Sequence, residues 1–553
     1  MFYEMEQVQT PLYSSVSLSC GSGDIGKGGQ DEGQCRKRSG RPNAGPWVAL
    51  VAITLAGLAI RLYRLDALSL WIDEGYSARA ITHSFSYLWQ VLPTFEFNPP
   101  TYYIVLKAWA AVVGDSEGAL RLLSVVCNVA TIPLIFLMAR MPGEAGKNPF
   151  RGLLAPLLFA LSSIQLQYAQ EVRGYALFAF LVAVVMCCEM RIMRNWSRES
   201  GAVLSRGTEP ITLAGWLGLG VVLALVLWVH NTGSFAALTL GMPLVAWWMT
   251  KTGFDRRAGR GILVAAVISA FLYLPYVHSL LERSTAVYRG YWIAKPHLRD
   301  IFDVAARFAG TPFISSRFAV AALFLLLSVL GAFRLWAEGQ KDHALLLLSV
   351  GLGAPLLEIV VSYCVMPIFL DRTLIYLSVP LSILVGHGME SLGTICRAIV
   401  GVVVVSLLCA NVAGFFAQFS KEPWRDVAAF LSTRLGKGEP VFYTNTNSGW
   451  ALSYYVKRQR ADFTIYGVPF GRFDTSQAES DEIMVVDAGR PVDVADADRV
   501  RELAAAFPRI GVVLRGSDYS DPEGLLVTAI QQRFHLSEQH DLGGIKVLIF
   551  DRS

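Results

Sequence analysis

Between residues 47 and 418 the chain alternates apolar runs with short polar connections, at 47–63, 118–140, 152–167, 174–190, 211–230, 233–250, 260–281, 318–336, 343–363, 372–390 and 394–418. A helix crosses a hydrocarbon core with about 20 residues, so this pattern predicts about eleven transmembrane helices. A further run at 101–114 is short for a span and is expected to lie along the outer interface, entered through the rigid Asn98-Pro99-Pro100 turn. Residues 1–45 are rich in Gly, Ser and Gln without apolar periodicity and predict a disordered tail. The run from Pro46 starts too far in, and lacks a small-residue cleavage site, so a retained anchor is expected there. After residue 419 the pattern becomes that of a water-soluble domain. Helix-like stretches at 424–435, 500–507 and 522–534 alternate with strand-like stretches at 440–443, 510–514 and 545–550. The fold class expected is an α-helical polytopic membrane protein with a C-terminal soluble α/β domain, divided into a tail (1–45), a membrane domain (46–418) and the α/β domain (419–553).

Charge orients this arrangement. The connections 140–151, 191–206, 251–260 and 334–341, with Arg397, are Lys/Arg-rich and fall on the side of the basic tail, which predicts a cytoplasmic N-terminus and an extracytoplasmic C-terminal domain. The loop 282–317 runs against this rule, since it carries Arg283, Arg289, Lys295, Arg299, Arg307 and Arg317 on the outer side. An anionic partner such as a lipid phosphate reconciles it. Hydrophobic residues make up 53% of the chain and charged residues 17%, and the net charge of +4 is dispersed, which excludes nucleic-acid binding. The eight cysteines show neither a disulfide framework nor zinc spacing.

The chemistry-bearing residues gather at the outer ends of the spans: Asp73, Glu74, Glu171, Arg173, His230, Glu358, Asp371 and Arg372. Ionisable groups are costly inside a bilayer, so a one-sided cluster predicts a wet cavity opening outward. Asp73-Glu74 is the most informative pair, flanked by Trp71 and Tyr76 of the kind found at headgroup level. Adjacent helical residues point about 100° apart, so one acid faces the cavity while the other positions it or binds a metal. Asp73 is the expected base. Glu171 and Arg173 fit equally a mutual ion pair and a catalytic role, His230 fits a polar end-cap as well as a ligand, Glu358 needs a partner in either case, and Asp371-Arg372 fits an interfacial salt bridge. No compact metal motif is present, which leaves a divalent cation open. A transporter or lipid flippase is the alternative class, although the internal repeat expected of it is missing.

The ordered segments Leu70-Trp-Ile-Asp-Glu-Gly-Tyr76, Asn98-Pro-Pro-Thr-Tyr-Tyr103, Gly114-Asp-Ser-Glu117, Arg121-Leu-Leu-Ser124 and Gln170-Glu-Val-Arg-Gly-Tyr175 resemble glycosyltransferase family 39, with weaker echoes at 228–231, 369–375 and 421–426. The resemblance implies a GT-C fold and a sugar donor carried on polyprenyl phosphate. It also implies an inverting transfer to a lipid, glycan or protein acceptor on the outer face of a bacterial inner membrane. Carried onto this chain, it makes Asp73 the general base, gives Glu74 and Glu171 supporting roles, and places Arg173, Tyr175, His230, Arg372, Pro99, Pro100 and Tyr102 against substrate.

Overall fold

The computed structural model describes residues 44–90, 92–94, 96, 98–141, 150–201, 212–287, 293–445, 447–470 and 490–553, and residues 44–553 form one compact unit. The tail expected over 1–45 lies outside the described residues except for its last two. Among the described residues, seven helices are long and apolar enough to cross a membrane: Gly45–Leu62, Glu117–Arg140, Tyr175–Trp196, Arg256–Leu281, Arg317–Ala337, Lys341–Cys364 and Thr394–Gln418. Each falls on one of the eleven runs read from the sequence.

Of the other four runs, two are interrupted and two form single helices. The 152–167 run breaks into Leu154–Ala160 and Ser163–Ala169. Buried Arg61 donates to the carbonyls of Ala160 (2.9 Å) and Phe159 (3.4 Å), which a continuous helix would use for its own next turn. The 372–390 run turns helical only after residue 374, as a 3-10 turn at Ile375–Leu377 and then the α-helix Ser378–Ser391, because Asp371 and Thr373 are held by side chains from other elements. The remaining two runs form the helices Leu213–Val229 and Gly233–Thr250, the second with Pro243 inside it. Thr101–Val113 is a helix of 13 residues, about 20 Å at 1.5 Å per residue and well short of a hydrocarbon core.

Helix packing in the bundle follows membrane rules. Arg317–Ala337 and Ser378–Ser391 approach so closely that a Cβ on Gly388 would stand 1.9 Å from the Leu327 carbonyl oxygen, and one on Gly331 would stand 2.0 Å from that of Leu384. Buried polar groups join the bundle from within. Asn128 accepts from Arg61 Nε at 2.6 Å and donates to Gln165, and Gln165 donates to the Ile375 carbonyl at 2.9 Å.

The C-terminal region contains a five-stranded mixed sheet: β1 (Pro440–Thr444), β2 (Thr464–Val468), β3 (Arg509–Leu514), β4 (Phe534–Leu542) and β5 (Ile545–Arg552). The spatial order is β2-β1-β3-β5-β4, with β1 parallel to both β2 and β3, and β5 antiparallel to both β3 and β4. The expected strands at 440–443, 510–514 and 545–550 are present. β2, β4 and the helix Ser448–Arg458 were not legible as a pattern. One sheet face is covered by Val494–Ala504 and Leu525–Gln531 through Phe442, Val500, Ile510, Leu526 and Phe550. The opposite face packs on Trp424–Arg434 and Ser448–Arg458, and that apolar cluster continues without a break into Leu70, Tyr76, Tyr103 and Leu106. The sheet is thus built onto the segments that carry Asp73.

Candidate active site

The segment after the first span enters a short helix, Ile72–Ala80, with Asp73 and Glu74 in its first turn, where carboxylates meet the positive end of the helix dipole. The two acids part ways. Glu74 is fully buried and accepts five hydrogen bonds. Its Oε1 takes Arg121 Nε and the Val172 amide, both at 2.9 Å, and its Oε2 takes Arg121 Nη2 at 3.0 Å, Lys421 Nζ at 2.9 Å and the Trp71 amide at 3.3 Å. Burial alone would raise its pKa, but the charges and hydrogen bonds of Arg121 and Lys421 outweigh that and hold the carboxyl down to about 2. Arg121 also donates to the carbonyls of Leu65, Leu68 and Ser69, so one guanidinium fixes both Glu74 and the chain leading to it.

Asp73 faces the other way, with 29% of its side chain exposed and its Oδ2 3.6 Å from Arg372 Nη1. Arg173 donates to the Asp73 carbonyl at 3.4 Å and to the Tyr103 hydroxyl at 3.3 Å. Arg372 thus stands at the Asp73 carboxylate and Arg173 at its backbone carbonyl. A narrow cleft opens beside them, lined by Asn98, Tyr102, Arg173, Tyr175 and His230 among others. Gly174 lies under the Tyr102 ring, where a Cβ would stand 3.3 Å from it.

Glu171 sits in the turn between Ser163–Ala169 and the helix that starts at Tyr175. It is 2% exposed, its Oε1 accepts from Gln167 at 3.4 Å, and its Oε2 has no hydrogen-bond partner among the described residues. Burial raises its pKa to about 7; nearby Lys421 works against the rise, and Glu74 and Asp73 add to it. Of the two readings open for it, the ion pair with Arg173 is not formed, since Arg173 turns toward Asp73 and Tyr103.

The other expected residues take distinct places. Asp371 pairs with Arg307 at 2.6 Å rather than with Arg372, and accepts from the Tyr168 hydroxyl at 3.4 Å. Asp371 also accepts from the Arg372 amide at 2.8 Å, while the Arg372 guanidinium stands 3.6 Å from Asp73, so the side-chain salt bridge between the two neighbours is not the arrangement seen. Glu358 is buried on a spanning helix and accepts from Thr373 Oγ1 at 2.8 Å, next to Arg372. His230 lines the cleft with its Nδ1 2.9 Å from Thr232 Oγ1. Pro99 and Pro100 are buried, Pro100 immediately before Thr101–Val113. Two more cations of the 282–317 loop have internal partners: Arg299 and Arg317 both pair with Asp303. Among the described residues no three His, Cys, Asp or Glu side chains converge as a metal site.

No family model and no curated protein matches the sequence. Solved structures do match. ArnT from Cupriavidus metallidurans in the apo state superposes with a TM-score of 0.55 at 13% identity, covering 92% of this chain and 98% of that one; the same protein bound to undecaprenyl phosphate gives 0.54 at 13% over the same shares. The Archaeoglobus fulgidus oligosaccharyltransferase in its apo form superposes with a TM-score of 0.53 at 10% identity, over 92% of this chain and 75% of that one. In complex with an inhibitory peptide and a dolichol-phosphate, that archaeal enzyme, AglB, gives 0.50 at 11%, over 92% and 74%. The chain has the GT-C fold. It is an integral membrane protein.

Within this GT-C fold, sequence reading missed the role of three groups. Arg121 and Lys421 both lie inside the motifs Arg121-Leu-Leu-Ser124 and 421–426, and the signal there is physical: a buried carboxylate needs cations, and each motif supplies one. Glu96, which accepts from the Asn98 amide at 2.9 Å and lies in electrostatic reach of Arg173, carried no such mark.

Proposed function

We propose that this protein transfers a sugar from a polyprenyl-phosphate donor to an acceptor hydroxyl or amine at the outer face of a bacterial inner membrane. Asp73 is the general base. The observation that carries this reading is the division of labour in the Asp73-Glu74 pair: Glu74 is saturated by five donors, while Asp73 presents a partly exposed carboxylate to Arg372, with Arg173 on its backbone carbonyl. The acceptor oxygen or nitrogen attacks the anomeric carbon, its proton passes to the Asp73 carboxylate, and the bond from that carbon to the phosphate oxygen breaks with its electron pair leaving on the phosphate. Direct displacement inverts the anomeric centre. The leaving phosphate is a weak base and needs charge neutralisation more than a proton, which Arg372 and Arg173 provide. Glu74 acts as a positioning residue, fixing the helix turn that aims Asp73. Glu171 stands behind the site as a buried acid beside Lys421, where its negative form supports the positive charge that develops on the sugar ring.

Two of the similar proteins are described with undecaprenyl phosphate and with dolichol-phosphate bound, which supports an isoprenoid phosphate as the carrier. In this reading residues 46–418 form the transferase and residues 419–553 an extracytoplasmic domain on the acceptor side, with the N-terminus cytoplasmic. The test uses membranes containing the full chain and supplied with a panel of polyprenyl-phosphate sugars. Asp73→Asn is expected to accumulate normally and to abolish transfer; retained transfer refutes the assignment.

A further inference from the structure

A second cavity, of about 480 Å³, lies on the far side of the Ile72–Ala80 helix, between it, Thr101–Val113 and the sheet-region helix Ser448–Arg458. It falls in the size range of sites that enclose a small ligand. Its charge is lopsided. Arg79, Lys107, Lys457 and Arg458 line it against the single carboxylate of Asp115, and Asp115 is already paired with Arg458 at 3.2 Å. Among the described residues no carboxylate forms an ion pair with Arg79, Lys107 or Lys457. Lys107 is fixed in place by the Ile81 carbonyl at 2.8 Å and sits 5.5 Å from the Phe85 ring centroid, so its ammonium is positioned rather than loose. The walls also carry Trp450 and Tyr454, aromatic faces suited to the apolar face of a sugar ring.

This cavity is mechanically continuous with the site at Asp73. Arg79 lies six residues along the same helix, about 9 Å by axial rise. The Trp450 ring stands edge-on to Tyr76 at 4.7 Å between centroids, Tyr76 to Tyr103 at 5.7 Å, and the Tyr103 hydroxyl accepts from Arg173. Unpaired cations beside aromatic rings, in a cavity bordering a transfer site but apart from the arginines that face Asp73, fit an anionic saccharide better than a lipid tail or a neutral sugar.

We propose that this cavity is a subsite for an acidic saccharide, one bearing a phosphate ester or carboxylate, which it holds as part of the acceptor. The acceptor role rests on the transferase reading above, whereas the binding site stands on its own geometry. The test measures binding of glucose 6-phosphate, and of glucose as the neutral control, to the full chain in nanodiscs of phosphatidylcholine. A second arm replaces part of the phosphatidylcholine with phosphatidylglycerol, to ask whether a lipid phosphate competes for the same cations. Glucose 6-phosphate is expected to bind, weakening with added salt, while glucose does not. The double variant Arg79→Gln/Lys457→Gln, whose side chains are partly or fully exposed, is expected to bind at least about tenfold more weakly at an unchanged melting temperature. Equal binding by the double variant, equal binding of glucose, or absence of binding overturns the proposal. So does full displacement of the sugar phosphate by phosphatidylglycerol, which would make the cavity a lipid-headgroup site. Undecaprenyl phosphate binding, measured alongside, is expected to be the same in both proteins. Loss of transfer activity for any reason leaves this binding result unmoved, so the two readings fail separately.

Discussion

Replacing Glu74 by Gln keeps the side-chain volume and removes the one charge that neutralises both Arg121 and Lys421. All three groups are buried, with side-chain exposures of 0%, 1% and 5%. Breaking a buried ion pair by removing one partner costs about 3–5 kcal/mol, because the remaining charge keeps its desolvation penalty. An independent route gives a similar size: a carboxyl lowered from 4.5 to about 2 contributes on the order of 3 kcal/mol at neutral pH. The sign follows from the lowered folded pKa: this stability is present above pH 4.5 and is lost as pH falls through the window from 4.5 toward 2. Lys421→Met alone leaves Glu74 with Arg121 and loses two charge-assisted hydrogen bonds, to Glu74 and to the Gln170 carbonyl, each about 1.5–3 kcal/mol. The double variant Glu74→Gln/Lys421→Met removes the stranded ammonium together with the carboxylate, so its loss is expected to fall below the sum of the single losses by at least about 1 kcal/mol. Thermal melting of detergent-purified protein, followed by tryptophan fluorescence, reads the effect at about 1 °C per kcal/mol for a unit of this size. Strictly additive shifts, or a Glu74→Gln melt identical to the parent's, would refute the keystone role of Glu74.

Glu171 gives a pH signature of opposite sign. Its raised folded pKa means that stability is full below pH 4.5 and is lost as pH rises toward and through about 7, by roughly 3 kcal/mol in all. Glu171→Gln is therefore expected to flatten the melting profile between pH 5 and 8 and to melt higher than the parent at pH 8; parallel profiles contradict this. Arg372→Gln is expected to weaken undecaprenyl phosphate binding about tenfold or more, as a charge-assisted contact to phosphate would require, with unchanged binding as the contrary result. At Gly75 a Cβ would stand 2.6 Å from the Ala451 backbone, so Gly75→Ala is expected to separate the two helices and lower the melting temperature, whereas Gly118→Ala, with only Asp66 Cβ at 3.7 Å, is not. Equal melts for the two glycine variants would show that this contact does not hold the sheet region to the Asp73 helix.

Much of this architecture is written in local pattern, because a spanning helix needs only a long apolar run. The breaks are not. Nothing in the apolar run 152–167 shows that Arg61, about 100 residues earlier, will take the carbonyls of Phe159 and Ala160 and end the helix. The same limit applied to the strands: β1 and β3 are buried inner strands and read as apolar runs, while β4 is mostly exposed and β2 half-buried, so neither offers a clean period. At the site, the juxtaposition of Asp73 with Arg372 followed from topology, since both were expected at outer ends of spans. The partner choice did not. Asp371 and Arg372 are adjacent in sequence, and only the placement of Arg307 on the helix Leu298–Phe308 draws Asp371 away. Separating Asp73 from Glu74 likewise needed Lys421, some 350 residues downstream.

The central claim is that the Asp73 carboxylate accepts the acceptor's proton during attack on a polyprenyl-phosphate sugar. Single-turnover release of polyprenyl phosphate from the loaded donor, by purified protein in nanodiscs, measures that step directly. Wild-type protein is expected to release it in an acceptor-dependent burst, and Asp73→Asn to bind undecaprenyl phosphate normally while releasing it at least about 100-fold more slowly. A burst of wild-type rate from Asp73→Asn would contradict the account.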